Sequence, residues 1–171
     1  MNNEKTIKDI IEHTLNWMNN QRIYREDYND IISGSVQKII ERRIIERFKF
    51  LWPYLNIYHP SDKSGKPDLF TDVYNKGIEI KTTFGWPTYK YKKDGTKIKT
   101  SNDGNVTWTN STTQETDEYF LFIKLSLNDN KLYADRIYFG KLSYKDWKIK
   151  PKSGAMYIKE TTVKNLCNQL K

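Results

Sequence analysis

The sequence predicts an α/β protein in which a central mixed β-sheet is flanked by helices. Three observations lead there. The first third of the chain repeats its apolar residues at helical spacing, the stretches after it alternate with period 2, and the order runs helices, strands, then a last helix. Within residues 4–18, Ile7, Ile10, Ile11, Thr14, Leu15 and Met18 fall on one stripe, which is an amphipathic helix. A short helical or irregular piece over 25–32 is broken by Ser33-Gly34-Ser35, and Ser35 is the expected N-cap of a helix over 36–51. That helix carries Val36, Ile40, Ile44, Phe48 and Leu51 on one face, and Pro53 ends it.

Beyond Pro53 the period changes. Residues 54–59 read as a first strand. Residues 68–74 and 77–83 read as two strands joined by a tight turn at Asn75-Lys76-Gly77. Residues 84–118 form a long polar stretch with aromatic residues set among lysines, a pattern that is usually functional. Two strong strands follow at 119–127 and 132–139 around an Asn-Asp-Asn turn, then a short strand at 155–159 and a helix at 163–170. The chain is thus read as a single domain. It has a helical part (1–52), a hairpin (53–83), a basic and aromatic segment (84–118), and a closing set of strands and helix (119–171).

Composition narrows the function. The chain has 171 residues, 29 Lys and Arg against 21 Asp and Glu, and a net charge of +8, which favours polyanionic partners. Lysine greatly outnumbers arginine, which suits general phosphate attraction better than bidentate base reading. One cysteine (Cys167) and two histidines (His13, His59) exclude a disulfide framework and a four-ligand Cys/His zinc site. Cys167 is expected in the core and His13 in a structural or surface role. No apolar run is long enough to span a membrane, and the start lacks the apolar core of a secretory signal, so a cytoplasmic protein is expected. Phosphate-binding glycine loops and a G-x-S-x-G nucleophile turn are absent. Chemistry must therefore rest on carboxylates and lysines.

The informative stretch is Lys66-Pro67-Asp68-Leu69-Phe70 followed by Gly77-Ile78-Glu79-Ile80-Lys81-Thr82-Thr83. In a strand, Ile78 and Ile80 face the core while Glu79 and Lys81 point together to the other face, roughly 6.6–7 Å apart. Hairpin pairing brings Asp68 close to Lys81 and within reach of Glu79. Two carboxylates and an ammonium on one face suit phosphodiester hydrolysis assisted by a hard divalent cation such as Mg²⁺. The backbone carbonyl of Ile80 is an expected further ligand. On the helix over 36–51, Glu41 sits at the edge of the apolar stripe and is the expected additional acid. Glu46, beside Arg42 and Arg43, more plausibly faces solvent.

Written as Pro67-Asp68, ten residues, then Glu79-Ile80-Lys81, this pattern resembles the PD-(D/E)xK nuclease superfamily. A small chain with an inserted segment after the E-x-K strand is similar to type II restriction endonucleases. That resemblance implies a restriction-endonuclease-like αβββαβ core, with Asp68, Glu79, Lys81 and Glu41 as catalytic residues. It also implies Asp68, Glu79, Ile80 and Glu41 around Mg²⁺, for which Mn²⁺ substitutes. It further implies double-stranded DNA as substrate, a homodimer, and a cognate DNA methyltransferase as a functional rather than physical partner.

The basic segment is the expected DNA contact. Lys90, Lys92, Lys93, Lys97 and Lys99 would hold phosphates, Asn102, Asn105, Asn110 and Gln114 have amides that read adenine edges, and Thr82, Thr83 and Trp86 lie beside the motif. The plainer reading of this segment is a surface hairpin turning at Asp94-Gly95. Two other functions stay open at this point. One is a structure-specific repair or recombination nuclease using the same residues; the other is a non-catalytic DNA-binding protein in which they form a surface charge cluster.

Overall fold

The computed structural model describes residues 3–21, 34–53, 68–71, 74–84, 88–100, 106–110, 118–128 and 131–170. Two long helices come first, α1 (Asn3–Gln21) and α2 (Gly34–Leu51). The strands are β1 (Leu69–Thr71), β2 (Tyr74–Phe84), β3 (Thr88–Tyr91), β4 (Lys97–Thr100), β5 (Thr107–Asn110), β6 (Glu118–Asn128) and β7 (Lys131–Leu142). After one 3-10 turn (Tyr144–Asp146) come β8 (Lys148–Ile149), β9 (Met156–Lys159), helix α3 (Glu160–Leu166) and β10 (Asn168–Gln169).

The main sheet has the order β1-β2-β6-β7-β10. It is mixed: β2 and β6 run parallel, and the other neighbours run antiparallel. This is the expected α/β class with a central mixed sheet. A second sheet of three strands has the order β5-β9-β8, and β3 and β4 pair as a separate ribbon. Among the described residues, the connection from β2 to its parallel neighbour β6 carries that ribbon and β5, and no helix.

The pleat of β6 explains the layers. Leu121, Ile123 and Leu125 face α1 and α2, where they meet Ile7, Ile10, Ile11, Leu15, Met18, Ile40, Ile44 and Phe48. Phe120 and Phe122 face the other way, into an aromatic cluster with Trp108, Tyr138, Trp147, Met156 and Ile158. The main sheet is therefore covered by helices on one side and by the three-stranded sheet with α3 on the other. Each fully buried aliphatic or aromatic side chain contributes about 1.5–3 kcal/mol, so both faces are strongly specified. Thr14, which interrupts the apolar stripe of α1, satisfies its buried hydroxyl on the Ile10 carbonyl at 2.9 Å.

Several expected boundaries are corrected. Helix α2 begins at Gly34, so Ser35 lies inside it and is not its cap. Asn75, Lys76 and Gly77 are not the hairpin turn but part of β2, which begins at Tyr74. Leu69 pairs with Ile78 and Thr71 with Tyr74, so β2 advances four residues where β1 advances two. Gly77, with φ of 82°, sits in that bulge, where a left-handed backbone is cheap only for glycine.

The polar stretch 84–118 contributes β5 to the second sheet, and its Trp108 is buried in the aromatic cluster. The last helix starts at Glu160 and stops at Leu166, and residues 168–169 form an edge strand on β7 instead of a further helical turn. Leu166 is exposed, but Cys167 is buried as expected, and burial pushes its thiol up to about 11. It packs so closely on Gly140 that a Cβ there would meet the Cys167 Sγ at 2.8 Å. The strand expected at 54–59 and the piece at 25–32 lie outside the described residues.

Candidate active site

The bulge at Gly77 sets the phase of everything after it. From Ile78 onward β2 alternates strictly: Ile78 and Ile80 are buried toward the helices, and Glu79 and Lys81 take the opposite face. Asp68 stands one residue before β1, level with Glu79 in the hairpin register.

The three side chains are joined to each other and to both strands. Lys81 Nζ donates to Glu79 Oε1 at 2.5 Å. The Asp68 backbone N–H donates to Glu79 Oε2 at 3.2 Å, and the Ile80 N–H donates to Asp68 Oδ2 at 2.6 Å. Each carboxylate thus holds the opposite strand's backbone, which fixes their spacing. Glu79 is only 1% exposed, so the cluster meets solvent through Asp68 and Lys81, both partly exposed. In a strand a residue's N–H and C=O leave toward the same edge, so the Ile80 carbonyl leaves on the side of β2 where its N–H meets Asp68.

Glu41 of α2 belongs to the same electrostatic group. Its carboxyl is raised to about 7, first by burial, with attraction to Lys81 lowering it and repulsion from Glu79 adding to the rise. Asp68 is held well above the usual carboxylate range, again chiefly by burial, then by the charge of Glu79. The Ile80 N–H and Lys81 lower it, while Glu41 raises it further. The structure therefore brings Asp68, Glu79, Lys81 and Glu41 together. Glu46 is elsewhere, exposed and paired with Arg43 at 3.4 Å.

Gln37, one helical turn before Glu41, was not singled out by the sequence. Its Nε2 donates to the Thr82 carbonyl at 3.4 Å, tying α2 to β2 just past Lys81. The signal that would have found it is the four-residue spacing from Glu41, which puts both on one side of the helix.

Thr82 is not placed to touch DNA with its hydroxyl. That group is buried on the helix side of β2 without a hydrogen-bond partner among the described residues. Thr83 instead spends its hydroxyl on the Thr107 carbonyl at 3.3 Å. Lys92 and Lys93 are exposed at the tip of the β3–β4 ribbon, whose turn is closed by Gly95 N–H to Lys92 O and Thr96 N–H to Asp94 Oδ1, both 2.9 Å. Lys90 lies on β3, Lys97 and Lys99 on β4, and Asn110 on β5. Trp86, Asn102, Asn105 and Gln114 lie outside the described residues.

A second charged group lies where the main sheet meets the three-stranded sheet. Buried Glu160 accepts from Tyr138 Oη at 2.6 Å, from Arg136 at 3.0 Å and from the Val106 N–H at 3.3 Å. These contacts join it to β7 and to the residue before β5, so it clamps the second sheet to the first.

Compared with known proteins, the chain matches no family model, no curated protein and no solved structure. Among the described residues no helix is long and apolar enough to cross a membrane.

The residues present fit a hard cation. No group of three Asp, Glu, His or Cys side chains able to hold a metal occurs among the described residues. Asp68, Glu79 and the Ile80 carbonyl nevertheless offer only oxygen donors, on residues that are hydrogen-bonded to one another. Such a set suits Mg²⁺, which keeps several of its waters and needs few protein ligands. Burial is the first cause of the raised carboxyls of Asp68 and Glu41 and repulsion from Glu79 adds to it, so a cation bound there would favour their ionised forms.

Proposed function

We propose that this chain is a Mg²⁺-dependent, sequence-specific endonuclease of double-stranded DNA, acting as type II restriction enzymes do, on a core resembling the αβββαβ nuclease fold. The observation that carries this reading is the mutual bonding of Asp68, Glu79 and Lys81 with Glu41 in electrostatic range. When bound, Mg²⁺ would polarise the phosphate and ease ionisation of a water. Asp68, Glu79 and the Ile80 carbonyl would hold it, and Glu41 would complete the acidic edge.

Lys81 supplies the positive charge. Its ammonium orients the attacking water and offsets the negative charge that grows on the phosphate oxygens. The water oxygen forms a new P–O bond as the ester P–O bond to the departing sugar breaks. The water's proton passes to solvent, and the departing alkoxide takes one up from solvent. Glu79, buried and doubly bonded, keeps Lys81 in place for this. A homodimer would bring one such site to each strand, and a methyltransferase of the same specificity would protect host DNA.

The reading is tested with three substrates in Mg²⁺: plain duplex, a mismatched duplex and a four-way junction. Cutting of plain duplex at one sequence is expected. Cutting confined to the mismatch or the junction would replace it with the repair reading.

The exposed ribbon tip makes a separate prediction. Replacing Lys92 and Lys93 together by glutamine should weaken DNA binding and make its log–log salt dependence shallower by roughly 0.9 per lost phosphate contact. An unchanged slope in a binding titration would remove the ribbon from the interface.

A further inference from the structure

The outward face of the three-stranded sheet has a regular chemistry that the proposed reaction does not use. Trp108, Met156 and Ile158 point into the aromatic core, so their neighbours on β5 and β9 point out. The register then aligns Thr109, Tyr157 and Lys148 in one row across all three strands, with Thr107 and Lys159 in the next. Thr107, Thr109, Lys148 and Lys159 are exposed and Tyr157 is partly so. Exposed Lys150, just past β8, holds its ammonium 6.0 Å from the Tyr157 ring centre.

Among the described residues of β5, β8 and β9, no carboxylate belongs to this face. The two acids nearest in sequence are spent elsewhere: Glu160 is buried against Tyr138 and Arg136, and Asp146 accepts the Ser143 N–H at 2.8 Å. Three lysines, two hydroxyls and a ring with a phenolic tip are left on a surface roughly 10 Å wide, about the width of three strands. The surface also adjoins the candidate site. Thr83, two residues past Lys81 on the same face of β2, is bonded to the carbonyl of Thr107.

We infer that this sheet face is a second DNA-contact surface, one that holds the phosphate backbone of the duplex and leads it to the Asp68–Glu79–Lys81 cluster. It rests on the nuclease reading for what happens at that cluster, but not for the binding itself. Lysines are compact point charges that take phosphate without reading bases, and the threonine and tyrosine hydroxyls add donors to phosphate oxygens. The surface therefore supplies affinity and orientation, not sequence choice.

The test uses the unsubstituted full chain and a short duplex in EDTA, which withholds the metal so that bound DNA stays intact. Affinity is measured by fluorescence anisotropy between about 50 and 200 mM salt. Adding Lys148→Gln, Lys150→Gln and Lys159→Gln together should make the salt slope shallower by about 2 to 3, since each lost phosphate contact removes about 0.9. A control set at exposed lysines on other surfaces, Lys49→Gln, Lys131→Gln and Lys164→Gln, should leave the slope in place.

A slope unchanged by the first set, or changed equally by the control set, overturns the inference. So does failure of the unsubstituted chain to bind duplex in EDTA. Single substitutions, each expected to remove about 0.9, keep the test readable if the triple variant loses stability. Cleavage is scored separately on the unsubstituted chain with Mg²⁺. A chain that binds with the expected slopes yet never cuts retains this surface and loses the nuclease reading.

Discussion

Replacing Lys81 by alanine is expected to lower DNA cleavage by about 100-fold or more at saturating DNA while leaving duplex affinity nearly unchanged, because the ammonium acts on the reacting phosphate. The same change has a structural cost that must be separated from the catalytic one. Lys81 is the charge partner of a carboxylate that is 1% exposed. Removing one side of a buried pair costs about 3–5 kcal/mol, since the other charge is left without its counter-ion. The melting temperature should therefore fall as well.

The double variant Lys81→Ala with Glu79→Gln resolves the two effects. Neutralising Glu79 should recover much of the lost stability but none of the activity. Retention of more than a few percent of cleavage by folded Lys81→Ala would show that the assigned role is wrong. Recovery of cleavage together with stability in the double variant would show that the pair is structural.

The second large effect is in stability against pH. Glu41 has its carboxyl raised to about 7 in the folded chain, from an ordinary value of 4.5. Between those values the folded state binds more protons than the unfolded one, so stability falls as pH rises through the window. For Glu41 alone the span is worth roughly 3 kcal/mol at most. Asp68 is shifted in the same direction and extends the decline to higher pH.

In EDTA, the protein should thus be less stable at about pH 8 than at about pH 5, and Glu41→Gln should remove part of that difference. Mg²⁺ should restore stability at the higher pH, by about 2.7 kcal/mol when the ion is at 100 times its Kd. Thermal or urea unfolding reads both. A stability difference between the two pH values that is identical with and without Glu41, or indifference to Mg²⁺, would contradict the account of the site.

Much of this site was legible in the sequence because it is local. The alternation of Ile78, Glu79, Ile80 and Lys81 is a property of four adjacent residues, and the strand keeps it. Glu41 was legible because a helical wheel places it at the margin of a stripe that must be buried. The hairpin turn was misplaced because Asn-Lys-Gly has strong turn chemistry, yet the same left-handed glycine also serves a bulge. Only pairing partners tell the two apart, and those come from the fold.

The second sheet was missed for a related reason. The strand Thr107–Asn110 is short, and its only large apolar side chain is Trp108. Its partner, Met156–Lys159, lies far along the chain, and no local periodicity reports such a pairing. The inward role of Thr82 was hidden in the same way. A threonine past the motif looks available until the helix that covers it is in place.

The most direct measurement is incubation of the purified chain with a long mapped duplex, in Mg²⁺ and in EDTA, beside the Asp68→Ala variant. The account predicts discrete fragments that require Mg²⁺ and disappear in the variant, with sizes that map one recognition sequence. Intact DNA in every lane, at protein concentrations where the duplex is bound, would contradict it.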